Sequence, residues 1–422
     1  MNSRGLILAI LVTYNSEIYI EKCIQSLKNQ TYTSIDILVV DNASTDNTVK
    51  IIRDKYKEIK IIECEYNTGF AKGNNLGIEY AIKKKYDYTL IINEDVVVDK
   101  NLVQNLLKYA NETTVVAPDI YSDLVLENLW YSNGYMDFEK GIAANVTYRN
   151  DTTLVNDVSF ISGCCELVHT DIWKKIGGFS EEYFLYYEDV DLSMKMILNH
   201  ISMKCTHETW VWHRIKSSGR KPYYYYYMAR NRFLFLKKYQ RQFKHSIEYY
   251  LNEYYRRWEE NSVPESVIQA ERLGIADYKD DISGYNSQIN MISDKDMKLK
   301  IQYGLINLLC RYSFLSIKPN KFLEIYNYTN VAIYGKHFLG QRLCDWLICN
   351  NVKVNFFIDQ KNSLKYKNIE VYNLQANIQD ADLIIITPVI NYEEIVRNLC
   401  ERTKAKILTL EEFIIEIENV TI

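Results

Sequence analysis

The sequence predicts an α/β protein: a doubly wound parallel sheet, then a helical region, then a second and smaller α/β unit. Three observations carry that prediction. Through the first hundred residues, strand-like apolar runs alternate with helix-like segments. From 222 to 325 the alternation gives way to a helix-like stretch rich in Tyr, Arg and Lys. Near 328 the strand–helix rhythm resumes. The boundaries this sets are 1–222, 223–327 and 328–422, in keeping with the two or three domains that 422 residues suggest.

Taken in order, LILAILVTYN reads as a buried parallel strand because its apolar run is unbroken. IYIEKCIQSLKNQ follows as a helix, IDILVVDNAS as a second strand and DNTVKIIRDKY as a second helix. IKIIECE is a third strand. GFAKGNNLGIEYAIKK reads as a loop running into a third helix, and YTLIINED as a fourth strand. In such sheets ligands bind at the carboxyl ends of the strands. Thr13, Asn15, Asp41, Asn42, Asn93 and Asp95 all fall at such ends. One polar strand end is only a turn. Three in succession, each behind four or more apolar residues, point to a site.

Residues 151–220 form a shorter mixed region, with a strand around VSFISGCCELV, a helix around DIWKKIGGF, and then the acidic stretch FLYYEDVDLSMK. The aromatic run Tyr223–Tyr227 comes next. Packing in a core is the favoured reading, and a platform for an acceptor is the other. In the C-terminal unit, VAIYGKHFLGQRLCDWLICNNVKVNFFIDQ reads as strand, glycine turn, helix and a strand ending in Asp359. ADLIIITP is another buried strand. The shape is Rossmann-like. Gly335 and Gly340 are present, but His337 stands where a dinucleotide fingerprint has its middle glycine, which lets the backbone approach a pyrophosphate. The unit is expected to serve packing or association, including contacts in a homo-oligomer, rather than NAD chemistry.

Composition narrows the function classes. The formal net charge of −4 creates no field that would draw nucleic acid, and none is expected as a partner. Nine cysteines, with no CxxC, do not make a disulfide framework and fit a reducing cytoplasm. The vicinal pair Cys164–Cys165 reads as two small buried residues. LILAILV is too short to span a bilayer and lacks the flanks of a signal peptide. The expectation is a cytoplasmic protein, soluble or peripheral at the inner face of the membrane.

The chemistry concentrates in a few stretches. FLYYEDVDLSMK sets Glu188, Asp189 and Asp191 within four positions, behind Phe184, Tyr186 and Tyr187. Acids at a helix start suit the free N–H groups and the dipole there. The sharper reading is a general base held near a cation or a developing charge. IINEDVVVD puts Asn93 and Asp95 at a strand end. A carboxylate there can hold Mg²⁺ or Mn²⁺, with waters and phosphate oxygens completing the shell. An ordinary polar turn is the alternative. HETWVWHRIKSSG adds His207 and His213, candidates for a further metal ligand or simply structural histidines.

Together, VTYN (12–15), VVDNASTD (39–46), NTGFAKGNNLGI (67–78), NED (93–95), EDVDL (188–192) and WH (212–213) resemble the inverting family 2 glycosyltransferases of the GT-A fold. The subgroup they resemble is the rhamnosyltransferase-like enzymes of bacterial surface polysaccharide synthesis. The resemblance covers roughly residues 5–240. It implies a nucleotide-diphosphate sugar donor, dTDP-rhamnose or a UDP-hexose, and a glycan or lipid-linked acceptor. By position, Thr13, Tyr14 and Asn15 would line the nucleotide pocket, and Asp41 beside Asn42 would meet the base or ribose. Lys72, Gly73, Asn74 and Asn75 would shape the pocket near nucleotide and sugar. Asp95 matches the last Asp of the DxD metal motif, and Asn93 replaces its first Asp, removing a charge. His213 matches the distal metal-binding His, Asp189 the catalytic base, and Glu188 a contact to acceptor hydroxyls. Gly163 in ISGCC would face the acceptor, unless it is only a bulge. YMARNRFLFLKKY, with Arg230, Arg232, Lys237 and Lys238, would meet a lipid-linked diphosphate or anionic headgroups, or else form a solvated helix face. The competing function is a catalytically weak scaffold in a glycan assembly complex, to which Asn93 and His337 lend weight.

Overall fold

The computed structural model describes residues 5–122, 129–148, 153–213, 221–259, 263–293, 317–359, 365–373, 381–388 and 392–421. Residues 214–219 of the HETWVWHRIKSSG stretch and 294–316 of the expected helical region lie outside these. The chain forms two compact units, Met1–Ile215 with Pro222–Ile292, and Lys216–Lys221 with Ser293–Ile422.

The first unit opens with β1 (Ile7–Thr13), α1 (Ile20–Lys28), β2 (Ile35–Asp41), α2 (Thr48–Lys55), β3 (Lys60–Glu63), α3 (Gly69–Lys84) and β4 (Tyr88–Ile92). β5 (Val96–Val98), α4 (Leu102–Leu106), β6 (Thr114–Tyr121), β7 (Leu129–Tyr131), β8 (Asn133–Asp137), β9 (Ile142–Val146) and β10 (Val155–Asp157) follow. β11 (Cys165–His169), α5 (Thr170–Ile176), α6 (Glu188–Leu198) and β12 (Ser202–His213) complete the sheet region. The main sheet runs β10-β12-β6-β11-β4-β1-β2-β3, with β5 on β12 and β7 on β6. The first four strands are parallel, as their unbroken apolar runs predict, and β1 is almost wholly buried.

Two expectations need correction. The sheet is mixed, because β11 lies antiparallel between β4 and β6. The Asn93 N–H donates to the Cys164 carbonyl (3.0 Å), so the chain enters β11 at the carboxyl end of β4 and must run backwards along it. That geometry also brings residues 161–164, read from sequence as part of a strand, to the ligand-binding edge ahead of β11. The second correction concerns GFAKGNN, which is helical from its first residue rather than a loop. Gly73 and Gly77 explain how α3 lies so close to β1. A Cβ on them would come within 2.7 Å of Val12 and 2.4 Å of Ile10.

The helical part of this unit comprises α7 (Pro222–Lys238), α8 (Ile247–Trp258) and α9 (Glu265–Lys279). α7 buries Tyr226, Tyr227, Phe233, Phe235 and Leu236, so the end of the tyrosine run is core. Tyr223, at its start, is exposed. Gly274 lets α9 press on α7, since a Cβ there would sit 2.5 Å from the Tyr226 carbonyl oxygen.

The second unit carries α10 (Asn320–Ile325), β13 (Val331–Tyr334), α11 (Phe338–Cys349), β14 (Val354–Ile358), β15 (Glu370–Tyr372), β16 (Leu383–Ile386), α12 (Tyr392–Cys400), β17 (Lys406–Thr409) and α13 (Leu410–Thr421). Its sheet is parallel throughout, in the Rossmann-like order β15-β14-β13-β16-β17. Gly335 turns the chain after β13 with φ +94°, and a Cβ on Gly340 would strike its carbonyl oxygen. His337 lies 3.3 Å from the Thr387 hydroxyl across this turn.

Candidate active site

The carboxyl ends of β1 and β2 meet at Thr13 and Asp41, which are register partners. The Thr13 hydroxyl donates to Asp41 Oδ1 (3.0 Å), and the Ser44 N–H donates to Asp41 Oδ2 (2.9 Å). Asn15 has φ +53°, and its side-chain oxygen accepts from the Thr45 N–H (2.8 Å). Tyr14 beside it is exposed. Asn42 is buried and ties β2 to the start of α3. Its oxygen accepts from the Thr68 N–H and hydroxyl, and its amide donates to the Gly69 carbonyl (3.1 Å). These residues enclose one polar pocket edge. Lys72 is half-buried on α3. Its neighbours on α3 are packing residues in this structure. Gly73 abuts Val12, Asn74 donates to the Phe70 carbonyl in its own helix, and Asn75 pairs with the backbone of Phe179.

The turn after β4 forms a second cluster. Asp95 Oδ1 lies 3.2 Å from His213 Nε2, with both side chains largely buried. Asn93 Nδ2 lies 3.5 Å from the same nitrogen. β12 delivers His213 because its last residue pairs with Val96 of β5. Burial opposes charging the His213 imidazole. Its hydrogen-bonding neighbours Cys164 and Asp95, the latter a carboxylate, outweigh burial and push its pKa well up. The other nitrogen, Nδ1, is buried without a partner. A carboxylate oxygen and an imidazole nitrogen converging like this fit a divalent cation such as Mn²⁺ or Mg²⁺, which would compete with the proton. Glu94 faces the first cluster instead, accepting from the Ser16 hydroxyl (3.0 Å).

The third cluster is Asp189, in the first turn of α6. Its Oδ2 accepts from the Gly163 N–H (3.2 Å) and its Oδ1 from the Val190 N–H (2.8 Å). Burial raises its pKa, and those N–H donors oppose the rise. A Cβ on Gly163 would stand in ordinary contact, 3.4 Å from the Asp189 Cβ and from the Phe70 ring. Glu188 is buried, with its pKa pushed well up by desolvation and by Asp189. Residues 163 and 164 are consecutive, one bonded to Asp189 and the other to Asn93, so the second and third clusters adjoin. The Ser16–Glu94 bond joins the first to the second.

His207 is not part of this assembly. It sits with Asp119 and Cys205, the three offering ligand atoms within 4.8 Å of one another. His207 Nδ1 lies 2.8 Å from Asp119 Oδ1, and Asn156 meets its other nitrogen. A direct Asp–His hydrogen bond is the ordinary way to bury both groups.

Other roles were missed from sequence. Asp191 is wholly buried and accepts from the Ser180 hydroxyl (2.5 Å), the Tyr183 hydroxyl (3.0 Å) and Lys238 Nζ (2.8 Å). Arg230 and Asn231 are also wholly buried, and Arg232 bonds the Lys140 carbonyl and Glu253. Arg230 is therefore neither a headgroup contact nor part of a solvated face, while Lys237 and Lys238 do lie on the exposed face of the helix. There Lys237 pairs with Asp281. The signal was present: Tyr226, Arg230 and Phe233 fall on one stripe at helical spacing, so Arg230 lies on the apolar face.

Residues 8–177, from β1 to the end of α5, match the family described as Glycosyl transferase family 2. Over this part the chain is similar to that family, in line with the motifs that carry the resemblance. Among curated relatives, the N-acetylglucosaminyl-diphospho-decaprenol L-rhamnosyltransferase of Mycobacterium tuberculosis is 24% identical over 247 residues, covering 50% of this chain and 78% of that protein. The dTDP-rhamnosyl transferase RfbF of Shigella flexneri is 26% identical over 255 residues, covering 56% and 81%. A crystal structure of S. aureus TarS 1-349 in complex with UDP aligns with a TM-score of 0.43 and 18% identity over 71% of this chain and 86% of that one, too distant to bear on function. Among the described residues, no helix is long and apolar enough to cross a membrane.

Proposed function

We propose that this protein transfers a sugar, with inversion, from a nucleotide-diphosphate sugar to a hydroxyl of a glycan or lipid-linked acceptor in bacterial surface polysaccharide synthesis. The observation that carries this is the adjacency of the Asp95–His213 pair and Asp189, joined through Gly163 and Cys164 at the carboxyl end of the sheet. Thr13, Tyr14, Asn15, Asp41 and Asn42 would edge the nucleotide pocket, with half-buried Lys72 on α3 close by in sequence to Thr68 and Gly69, which Asn42 bonds. Asp95 and His213 would hold the divalent ion, which when bound offsets charge gathering on the leaving diphosphate. Asp189 then has one task. Backbone N–H groups fix both its oxygens, so the carboxylate is held in one plane with lone pairs to spare. It accepts the acceptor's proton as that oxygen attacks the anomeric carbon and the bond to the diphosphate breaks. Glu188 contributes a binding contact to acceptor hydroxyls.

The names of the two relatives make dTDP-rhamnose the first donor to try, with UDP-hexoses next. The test follows nucleoside diphosphate released from dTDP-rhamnose, UDP-glucose, UDP-galactose, UDP-N-acetylhexosamines and GDP-mannose with Mn²⁺. Release from one donor, lost on chelation, is the expected result. Failure to bind any donor by calorimetry would sink the proposal in favour of a scaffold role.

A further inference from the structure

Three of the four residues before Glu188 have positive φ without being glycine: Phe184 (+64°), Tyr186 (+67°) and Tyr187 (+74°). Such backbone is costly and persists only where its surroundings over-determine it. The surroundings here are specific. The Asn231 amide donates to the carbonyls of Tyr183 (2.9 Å), Leu185 (2.9 Å) and Tyr186 (2.8 Å). Arg230 Nη2 donates to the Tyr183 carbonyl (3.1 Å) and Nη1 to the Gly284 carbonyl (2.6 Å). Arg230 Nε donates to the Asn231 oxygen (3.0 Å), which aims the amide at the loop. The remaining carbonyl, that of Phe184, accepts from the Phe70 N–H at the start of α3 (2.9 Å). Every carbonyl from 183 to 186 is therefore held, and the loop delivers directly into Asp189. Helix packing alone does not call for a wholly buried Arg–Asn pair. Burying such groups is costly unless they are paired, and here most of their partners are loop carbonyls, with the Tyr226 hydroxyl (3.1 Å) also accepting from Arg230 Nη1.

We propose that Asn231 and Arg230 are positioning residues that hold the strained 183–187 loop and so set the placement of the Asp189 carboxylate. This rests on the reading of Asp189 as the base. The residues touch no reacting atom; they act through the loop. Removing the Asn231 amide frees the carbonyls of Leu185 and Tyr186 and lets the positive-φ residues relax, shifting the start of α6. Displacements on the order of 1 Å at a reacting group cost about 10²-fold in rate.

The experiment compares the full chain with Asn231→Ala by three readouts: hydrogen exchange at the amides of 185–190, donor affinity by calorimetry, and turnover, with dTDP-rhamnose as the first donor used. The expected result is faster exchange at those amides, unchanged donor affinity, and turnover down about 10²-fold. In the Asp189→Asn background, Asn231→Ala is expected to cost nothing further. Unchanged exchange, wild-type turnover despite faster exchange, or a loss that multiplies with Asp189→Asn would each overturn the proposal. If Asn231→Ala does not fold, Arg230→Lys keeps the charge and loses the forked contacts. It is expected to lower turnover at unchanged donor affinity, and wild-type turnover there would overturn the assignment. A wild-type chain inactive on every donor would refute the transferase reading, while the exchange readout still decides whether the pair holds the loop.

Discussion

Asp189 and Asp191 lie two places apart, yet their surroundings assign them opposite tasks. Asp191 is enclosed by two hydroxyls and the Lys238 ammonium, which leaves it no role in moving a proton. Asp189 is held instead by backbone N–H groups, those of Gly163 and Val190 among them. Asp189→Asn is expected to abolish about 10²–10⁴-fold of turnover while donor affinity, measured by calorimetry, stays the same. Because burial raises the Asp189 pKa and the base must be ionised, kcat should fall as pH drops through a value above the ordinary carboxylate ~3.9. The Asp189→Asn variant should lose that limb, and a limb retained in it would exclude Asp189 as that base. Glu166 offers a second pH test. It is buried, neither oxygen has a partner, and burial and the Asp189 charge push its pKa well up. A raised folded-state pKa means that its stability contribution is complete below the unfolded value of ~4.3 and is lost as pH rises toward the folded one, by about 1.4 kcal/mol per unit. Glu166→Gln should therefore match the native chain in urea midpoint near pH 4 and exceed it at pH 8. Glu188 drifts the same way in both proteins, so the difference between them is the readout. Asn93 sits 3.5 Å from His213 Nε2, where a second carboxylate would add charge. Asn93→Asp should tighten Mn²⁺-dependent donor binding, and unaltered metal affinity would place the ion elsewhere.

Helix α3 is the element whose sequence was easiest to misread. GFAKGNN read as a loop leading into a helix, yet it is helical from Gly69, and Gly73 and Gly77 are the small faces that let that helix press on β1. Gly77→Ala pushes a methyl group to within 2.4 Å of Ile10, and overpacking of that kind costs about 1–3 kcal/mol. A lowered urea midpoint with an unchanged slope would register it, and an unchanged midpoint would mean that α3 yields. The strand ends were legible because unbroken apolar runs stop sharply at Thr13, Asp41 and Asn93. The antiparallel β11 was not, because neither period nor composition reveals which way a buried strand runs. The helical stripe of Tyr226, Arg230 and Phe233 placed Arg230 on the inward face, but its partners were not legible, since a lone Arg in an apolar helix usually keeps its charged head in water.

At the scale of the molecule, the catalytic candidates all lie in the first compact unit, with the Rossmann-like sheet forming a core of its own. His337, bonded across the glycine turn to Thr387, occupies ground that a dinucleotide fingerprint leaves to a glycine. Within the first unit, Asn42 at the nucleotide edge grips Thr68 and Gly69, and the next residue's N–H grips Phe184, whose loop ends at Asp189. A Cβ on Gly69 would stand 2.3 Å from that same Phe184 oxygen, so the joint has no slack. In the proposed reading this chain of bonds would join the donor and acceptor sites, and any coupling between them is reciprocal. Whatever factor the donor adds to acceptor affinity, the acceptor must return to the donor. Calorimetric titration of each ligand with and without the other should give equal factors above one, and Gly69→Ala should bring both toward unity together.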